Sequence, residues 1–167
     1  MAMGSRVLII GLGAIGMLLG QLLQLQGAAQ IVAVDPVPHR RILAKNLGMQ
    51  VVSQFDGINE TFDIVVDAVG SAKILELATG VVSAGGKILV FGVAAPNDSA
   101  AIAPYCIYRK ELTIVSANTN PFTMSRAVRM INAQLLTLNP ILSDPIALED
   151  VPDALERPLG IKTFLKF

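Results

Sequence analysis

The sequence predicts an α/β fold: a doubly wound, six-stranded parallel sheet in the order 3-2-1-4-5-6, with helices on both faces. Three observations predict it. Short apolar runs such as Val7–Ile10 and Ile31–Val34 alternate with longer helical stretches, as in a parallel sheet covered on both sides. The first run enters a turn with glycines at 11, 13 and 16 and then a helix. The second run ends in an acid, Asp35, about 19 residues beyond the last of those glycines.

The elements follow in order. Strand one is Arg6–Ile10, and the helix after it, residues 14–26, is apolar nearly all round and stops at Gly27. Strand two is Ile31–Val34. Pro38 suits a first helical turn, and that helix runs to about Leu47 before Gly48. Strand three is Gln50–Val52. The link Ser53–Phe62 must then cross about three strand spacings, roughly 15 Å. Ten extended residues reach about 33 Å, so no full helix is needed there. Strand four is Asp63–Asp67. A helix over Ala72–Val82 follows, and Gly85-Gly86 is read as the turn into strand five, Lys87–Phe91. Ala94–Pro104 reads as a loop and Leu112–Ser116 as strand six. Thr123–Leu135 is an amphipathic helix with Ala127, Met130, Ile131 and Leu135 on one side. Glu149–Leu155 reads as a short helix and Ile161–Phe167 as a last strand. The division is a domain over residues 1–136 and an extension over 137–167.

The glycine turn carries chemistry. Gly11 lets the chain turn sharply from strand to helix, Gly13 leaves room for a ligand to approach the backbone, and Gly16 lets helix and strand pack closely. The free N–H groups at the helix start then face an anion. A carboxylate at Asp35 accepts from ribose hydroxyls and repels a 2′-phosphate. Together these predict a Rossmann domain with a bound dinucleotide, NAD rather than NADP, with Arg40 and Arg41 nearby.

Composition narrows the function. The chain has 167 residues, 53% of them hydrophobic, and a mean hydropathy of +0.59. The longest apolar stretch, Val7 to Gly20, is too short and too broken by glycine to span a bilayer. No secretory signal is read at the start, so a cytoplasmic location is expected. The 13 basic and 13 acidic residues cancel, leaving no basic stripe for nucleic acid. Cys106 and His39 are the only residues of their kinds, so no disulfide can form within the chain, and no Cys/His zinc site can be assembled from it. His39 is read as a solvated residue of a first helical turn, and Cys106 as a small buried apolar residue.

Several segments, in order, carry a resemblance. They are Val7-Leu-Ile-Ile-Gly-Leu-Gly-Ala-Ile-Gly16, Asp35, Arg40-Arg-Ile-Leu-Ala-Lys-Asn-Leu-Gly48, Phe62-Asp-Ile-Val-Val-Asp-Ala-Val-Gly70 and Gly85-Gly-Lys-Ile-Leu-Val-Phe-Gly92. Tyr108-Arg-Lys-Glu-Leu-Thr-Ile114, Asn120-Pro-Phe-Thr123, Leu148-Glu-Asp-Val-Pro-Asp-Ala-Leu155 and Ile161–Phe167 complete the set. The chain resembles the cofactor-binding domain of the medium-chain, zinc-type alcohol dehydrogenases, in their polyol (sorbitol-like) branch.

The resemblance implies contacts with NAD(H). Within a cofactor-binding set of Gly11, Gly13, Ala14, Ile15 and Gly16, Ile15 would touch the pyrophosphate through its backbone, while Asp35 would hold the adenosine ribose and Arg40 lie along the adenosine side. Val69 and Gly70 follow strand four in the same set. Phe91, Gly92 and Val93 would line the nicotinamide half, and Ala117, Asn118 and Thr119 would meet the carboxamide. Ser116 stands where the family commonly has glycine, and the Ser53–Phe62 link is shorter than usual. The resemblance implies oxidation of a secondary alcohol or polyol to a ketone. It places zinc and catalytic residues in another domain, so no catalytic or metal residue is assigned here and the chain alone is expected to be inactive. It also implies a homodimer through the strand-six edge. Two other readings share the glycine turn and Asp35: a free-standing NAD(H)-sensing module, and a methyltransferase using S-adenosylmethionine.

Overall fold

The structure, a computed structural model, describes residues 1–119, 122–156 and 160–165. Six parallel strands form one sheet: β1 (Arg6–Ile10), β2 (Gln30–Val34), β3 (Gln50–Val52), β4 (Phe62–Asp67), β5 (Val82–Val90) and β6 (Thr113–Ser116), in the order β3-β2-β1-β4-β5-β6. The Rossmann-like sheet that the alternation of elements predicts is therefore the sheet observed. The direction of winding reverses between β1 and β4, where Ile10 pairs with Asp67, and ligands bind at such a reversal in open parallel sheets.

Alternation of side chains divides the interior into two cores. Val7 and Ile9 of β1 face one way, with Ile31, Ala33 and Val66. This face is covered by α1 (Ala14–Leu25) and α2 (Pro38–Asn46), through residues such as Met17, Leu18 and Ala44. Leu8 and Ile10 face the other way, with Val32, Val34 and Val65. There they meet Ile74, Leu75 and Ala78 of α3 (Ala72–Val81). A strand segment buried on both faces must be apolar at every position, which is why Val7–Ile10 of β1 shows no alternation of polarity.

The link from β3 to β4 contains only a 3-10 turn, Phe55–Gly57, in keeping with the short crossing expected. Other expectations need correction. Gly85-Gly86 is no turn ahead of strand five. β5 starts at Val82, and the glycines lie in a bulge between the pairs Phe62–Val82 and Ile64–Lys87. Between β5 and β6 stands a helix that the sequence reading lacks, α4 (Pro104–Lys110), and it ends at Glu111 in the left-handed region, φ 51°. Lys110 reaches back from it to cap α3, its Nζ donating to the carbonyls of Thr79 at 2.9 Å and Val82 at 3.1 Å.

Beyond β6, α5 (Met124–Asn132) is shorter than the Thr123–Leu135 helix expected; of the expected apolar side, Met130 is half-buried while Ala127, Ile131 and Leu135 are exposed. Met124, Val128, Ile131 and Leu135 are all exposed, because no described element covers them. Asn120 and Pro121, part of one resemblance segment, lie outside the described residues. The extension is seated on α1: Gln21 donates to the Thr137 carbonyl and accepts from the Thr137 N–H at 2.7 Å, and Ile141 is buried in the first core. A 3-10 turn over Leu148–Asp150 leads into α6 (Val151–Glu156). Ile161–Phe167 is not a continuous strand. Its described part makes isolated parallel bridges, Leu142 with Lys162 and Ile146 with Leu165, and Lys166 and Phe167 lie outside the described residues.

Candidate functional site

The glycine turn sits at the carboxyl end of β1. Gly11 has φ +97°, a conformation that side chains rarely adopt, and its N–H donates to the Val34 carbonyl of β2. Gly16 presses onto it: a Cβ on Gly16 would lie 1.9 Å from the Gly11 carbonyl oxygen. These two glycines are required by the protein itself. Gly13 is different. Its φ is −71°, and a Cβ there would meet nothing within 4 Å. The protein leaves open space at this position, as a close-lying ligand requires.

α1 starts at that opening with no side-chain cap and no acid in its first turn. Its first N–H groups and positive dipole end stay available to an anion. At the end of β2, Asp35 is 3% exposed and hydrogen-bonded through both carboxylate oxygens. Its Oδ2 accepts from the Leu12 N–H at 2.8 Å and its Oδ1 from the Val37 N–H at 2.8 Å. Arg40 approaches to 3.7 Å from Oδ2, and Arg41 donates to the Asp35 carbonyl at 2.7 Å. The buried charge is thus paired and hydrogen-bonded, as burial demands. It also ties the glycine turn to the end of β2 as one unit.

Gly11, Gly13, Asp35, Arg40 and Val69 line one cavity of about 550 Å³. Pro36, Ser53 and Phe55, which carry no motif in the sequence, line it too. Phe55 belongs to the β3–β4 link, whose irregular sequence carries no motif. Ala14 and Ile15 lie at the start of α1, with Ile15 44% exposed.

The nicotinamide set lies after β4, β5 and β6. The turns after β4 and β5 touch backbone to backbone, since a Cβ on Gly70 would lie 2.3 Å from the Val93 nitrogen. Val69 and Val93 are apolar yet 52% and 89% exposed at this end of the sheet. Ala117, Asn118 and Thr119 follow β6 and are exposed, with Thr119 at φ 22°. Asp67, which no motif spacing marks, ends a buried strand as Asp35 does. It is 1% exposed and accepts from the N–H groups of Val69 and Gly70 at 2.9 and 2.8 Å.

Zinc does not fit this chain. His39 is exposed in the first turn of α2, Cys106 is half-buried on α4, and among the described residues no three His, Cys, Asp or Glu side chains come together as a metal site. No helix among the described residues is long and apolar enough to cross a membrane.

The sheet order and the glycine turn at its point of reversal define a Rossmann-like α/β domain. The chain belongs to the zinc-binding dehydrogenase family, whose profile matches residues 14–133. It is 30% identical over 151 residues to D-altritol 5-dehydrogenase of Agrobacterium fabrum, covering 88% of this chain and 45% of that protein. It is 24% identical to sorbitol dehydrogenase of Bacillus subtilis, covering 95% of this chain and 48% of that one. A protein of Sinorhizobium meliloti, assigned as a zinc-binding dehydrogenase and solved with NADP, superposes with a TM-score of 0.88 at 25% identity, covering 97% of this chain and 51% of that one. The chain spans about half the length of these relatives. The family sets the dehydrogenase reading above the methyltransferase reading.

Proposed function

We propose that this chain is the NAD(H)-binding half of a zinc-dependent polyol or alcohol dehydrogenase. One arrangement carries the reading: Gly13, which leaves open space at the uncapped start of α1, lines the same cavity as Asp35 and Arg40. In this reading the pyrophosphate lies on the N–H groups of Gly13, Ala14, Ile15 and Gly16. The adenosine ribose lies between Asp35 and Arg40. Val69, Gly70, Phe91, Gly92 and Val93 flank the nicotinamide half, and Ala117, Asn118 and Thr119 offer main-chain partners to its carboxamide. A bound nicotinamide supplies the hydride acceptor for an alcohol carbon. The chain's own part is to bind the two ends, orient the ring and exclude water around it.

Residues 1–136 form the cofactor domain in this reading. The extension 137–167 is anchored at its start by Thr137 and Ile141 and runs toward the part that holds zinc and substrate. The relatives' names support a polyol substrate. The chain alone is inactive on alcohols in this reading, because among the described residues no metal-holding group is placed to activate the alcohol oxygen. The edge position of β6, with Thr113, Val115 and Ser116 exposed, supports a homodimer formed across that edge. The free thiol of Cys106 goes with a reducing, cytoplasmic location.

Calorimetric titration with NADH, NADPH and S-adenosylmethionine tests the reading, repeated on Asp35→Ala. NADH is expected to bind more tightly than NADPH in the wild type, and the preference is expected to shrink in the variant. Binding of neither dinucleotide refutes the proposal, and binding of S-adenosylmethionine alone returns the methyltransferase reading.

A further inference from the structure

At the end of β4, Asp67 does two jobs with one residue. Its carboxylate Oδ1 accepts from the N–H groups of Val69 and Gly70, closing the turn that follows the strand. Its carbonyl accepts from the N–H groups of Phe91 at 3.0 Å and Gly92 at 2.8 Å, fixing the turn that follows β5. The two turns then meet at Gly70 and Gly92. On its other side the β4 turn reaches the glycine turn of β1, where a Cβ on Gly11 would lie 2.7 Å from a methyl of Val69. Asp67 thus lies beneath three stacked turns and holds the middle one from below.

A carboxylate that is 1% exposed is costly unless its hydrogen bonds are made. An apolar residue at the end of a buried strand carries no such cost. The acid is used here because its short side chain reaches the N–H groups two and three residues ahead, as in an Asx turn. It cannot touch a ligand itself, so any effect on binding passes through Gly70, Gly92 and Val93.

We propose that Asp67 is a positioning residue for the nicotinamide half of the dinucleotide: its carboxylate holds the turn after β4 and, through the Gly70–Gly92 contact, sets where the turn after β5 lies, while its backbone carbonyl would serve the β5 turn whatever the side chain. The proposal rests on the cofactor reading above. It separates two halves of the site: Asp35 holds the turn beside the adenosine, and Asp67 those beside the nicotinamide.

The test is calorimetric titration of the whole chain with NADH and with ADP-ribose, which lacks the nicotinamide. Wild type, Asp67→Ala, Asp67→Ser and Asp67→Asn are compared, with thermal melts to establish folding. Wild type is expected to bind NADH more tightly than ADP-ribose. In Asp67→Ala, NADH affinity is expected to fall about tenfold, the weight of a lost charge-assisted hydrogen bond, while ADP-ribose affinity stays within about twofold; in Asp67→Ser, whose hydroxyl accepts from the same N–H groups more weakly, the NADH loss is expected to be smaller and equally selective. Asp67→Asn keeps an oxygen acceptor for both N–H groups and is expected to stay near wild type. An equal loss for both ligands overturns the proposal, as does no loss for either, a wild type that does not distinguish them, or unfolding of both the Ala and Ser variants. Failure of the wild type to bind either ligand overturns the cofactor reading along with it.

Discussion

Gly70 and Gly92 meet backbone to backbone: a Cβ on Gly92 would lie 2.1 Å from the Gly70 nitrogen, and one on Gly70 2.5 Å from the Gly92 carbonyl carbon. Neither turn has room for a side chain without moving the other. Gly70 also has φ +83°, so a side chain there is strained twice over. Gly92→Ala is expected to cost about 1–3 kcal/mol, the range for forced overpacking. Gly70→Ala is expected to cost more, and urea denaturation of both variants measures the order.

At Gly13 the opposite holds. A Cβ there meets no protein atom, and φ is −71°. Gly13→Ala is expected to leave stability within about 1 kcal/mol of wild type, since little more than the N-cap preference is altered. If a pyrophosphate lies on this backbone, NADH affinity falls at least about tenfold in the same variant, a loss of about 1.4 kcal/mol. Unchanged affinity argues against a phosphate there. A melt and a titration on one preparation separate stability from binding.

Lys110 ties α4 to the end of α3 by donating to the carbonyls of Thr79, Gly80 and Val82, at and just beyond the last turn of that helix. Lys110→Met keeps most of the stem and removes the charge. It is expected to destabilise the chain by about 1–2 kcal/mol, read by denaturant titration, with ligand affinity unchanged.

A dimer across β6 would be broken by charge placed on the edge. Val115 is 44% exposed on that strand. Sedimentation is expected to show a dimer for the wild type and a monomer for Val115→Lys. A wild type that stays monomeric at high concentration removes the interface.

The legible parts of the fold are those in which one residue type has one physical use. Gly11, Gly16 and Asp35 announce the turn because sharp backbone geometry and a strand-ending acid have few other causes. Gly85-Gly86 misleads because glycine suits a bulge as well as a turn, and only pairing with β4 decides between them. α4 goes unread because Pro104-Tyr-Cys-Ile-Tyr-Arg-Lys110 is short, lacks a side-chain cap and ends at Glu111 where a glycine would have marked a stop. Its helical state is set by packing and by the Lys110 bonds to α3. Asp67 carries the same signal as Asp35, an acid closing an apolar strand, but its partners are backbone groups of a turn whose shape no spacing reveals. The amphipathic pattern of α5 is plain in the sequence, whereas what lies against it depends on more than its own residues.

The uncapped start of α1 ties heat tolerance to ligand supply. In the free chain no side chain caps those N–H groups, and a bound phosphate would supply them with a fixed charge. A ligand held only by the folded form then raises the melting point in proportion to the logarithm of its concentration, adding about 2.7 kcal/mol at a hundred times Kd. For a domain built this way, survival through a heat challenge tracks the size of the surrounding dinucleotide pool.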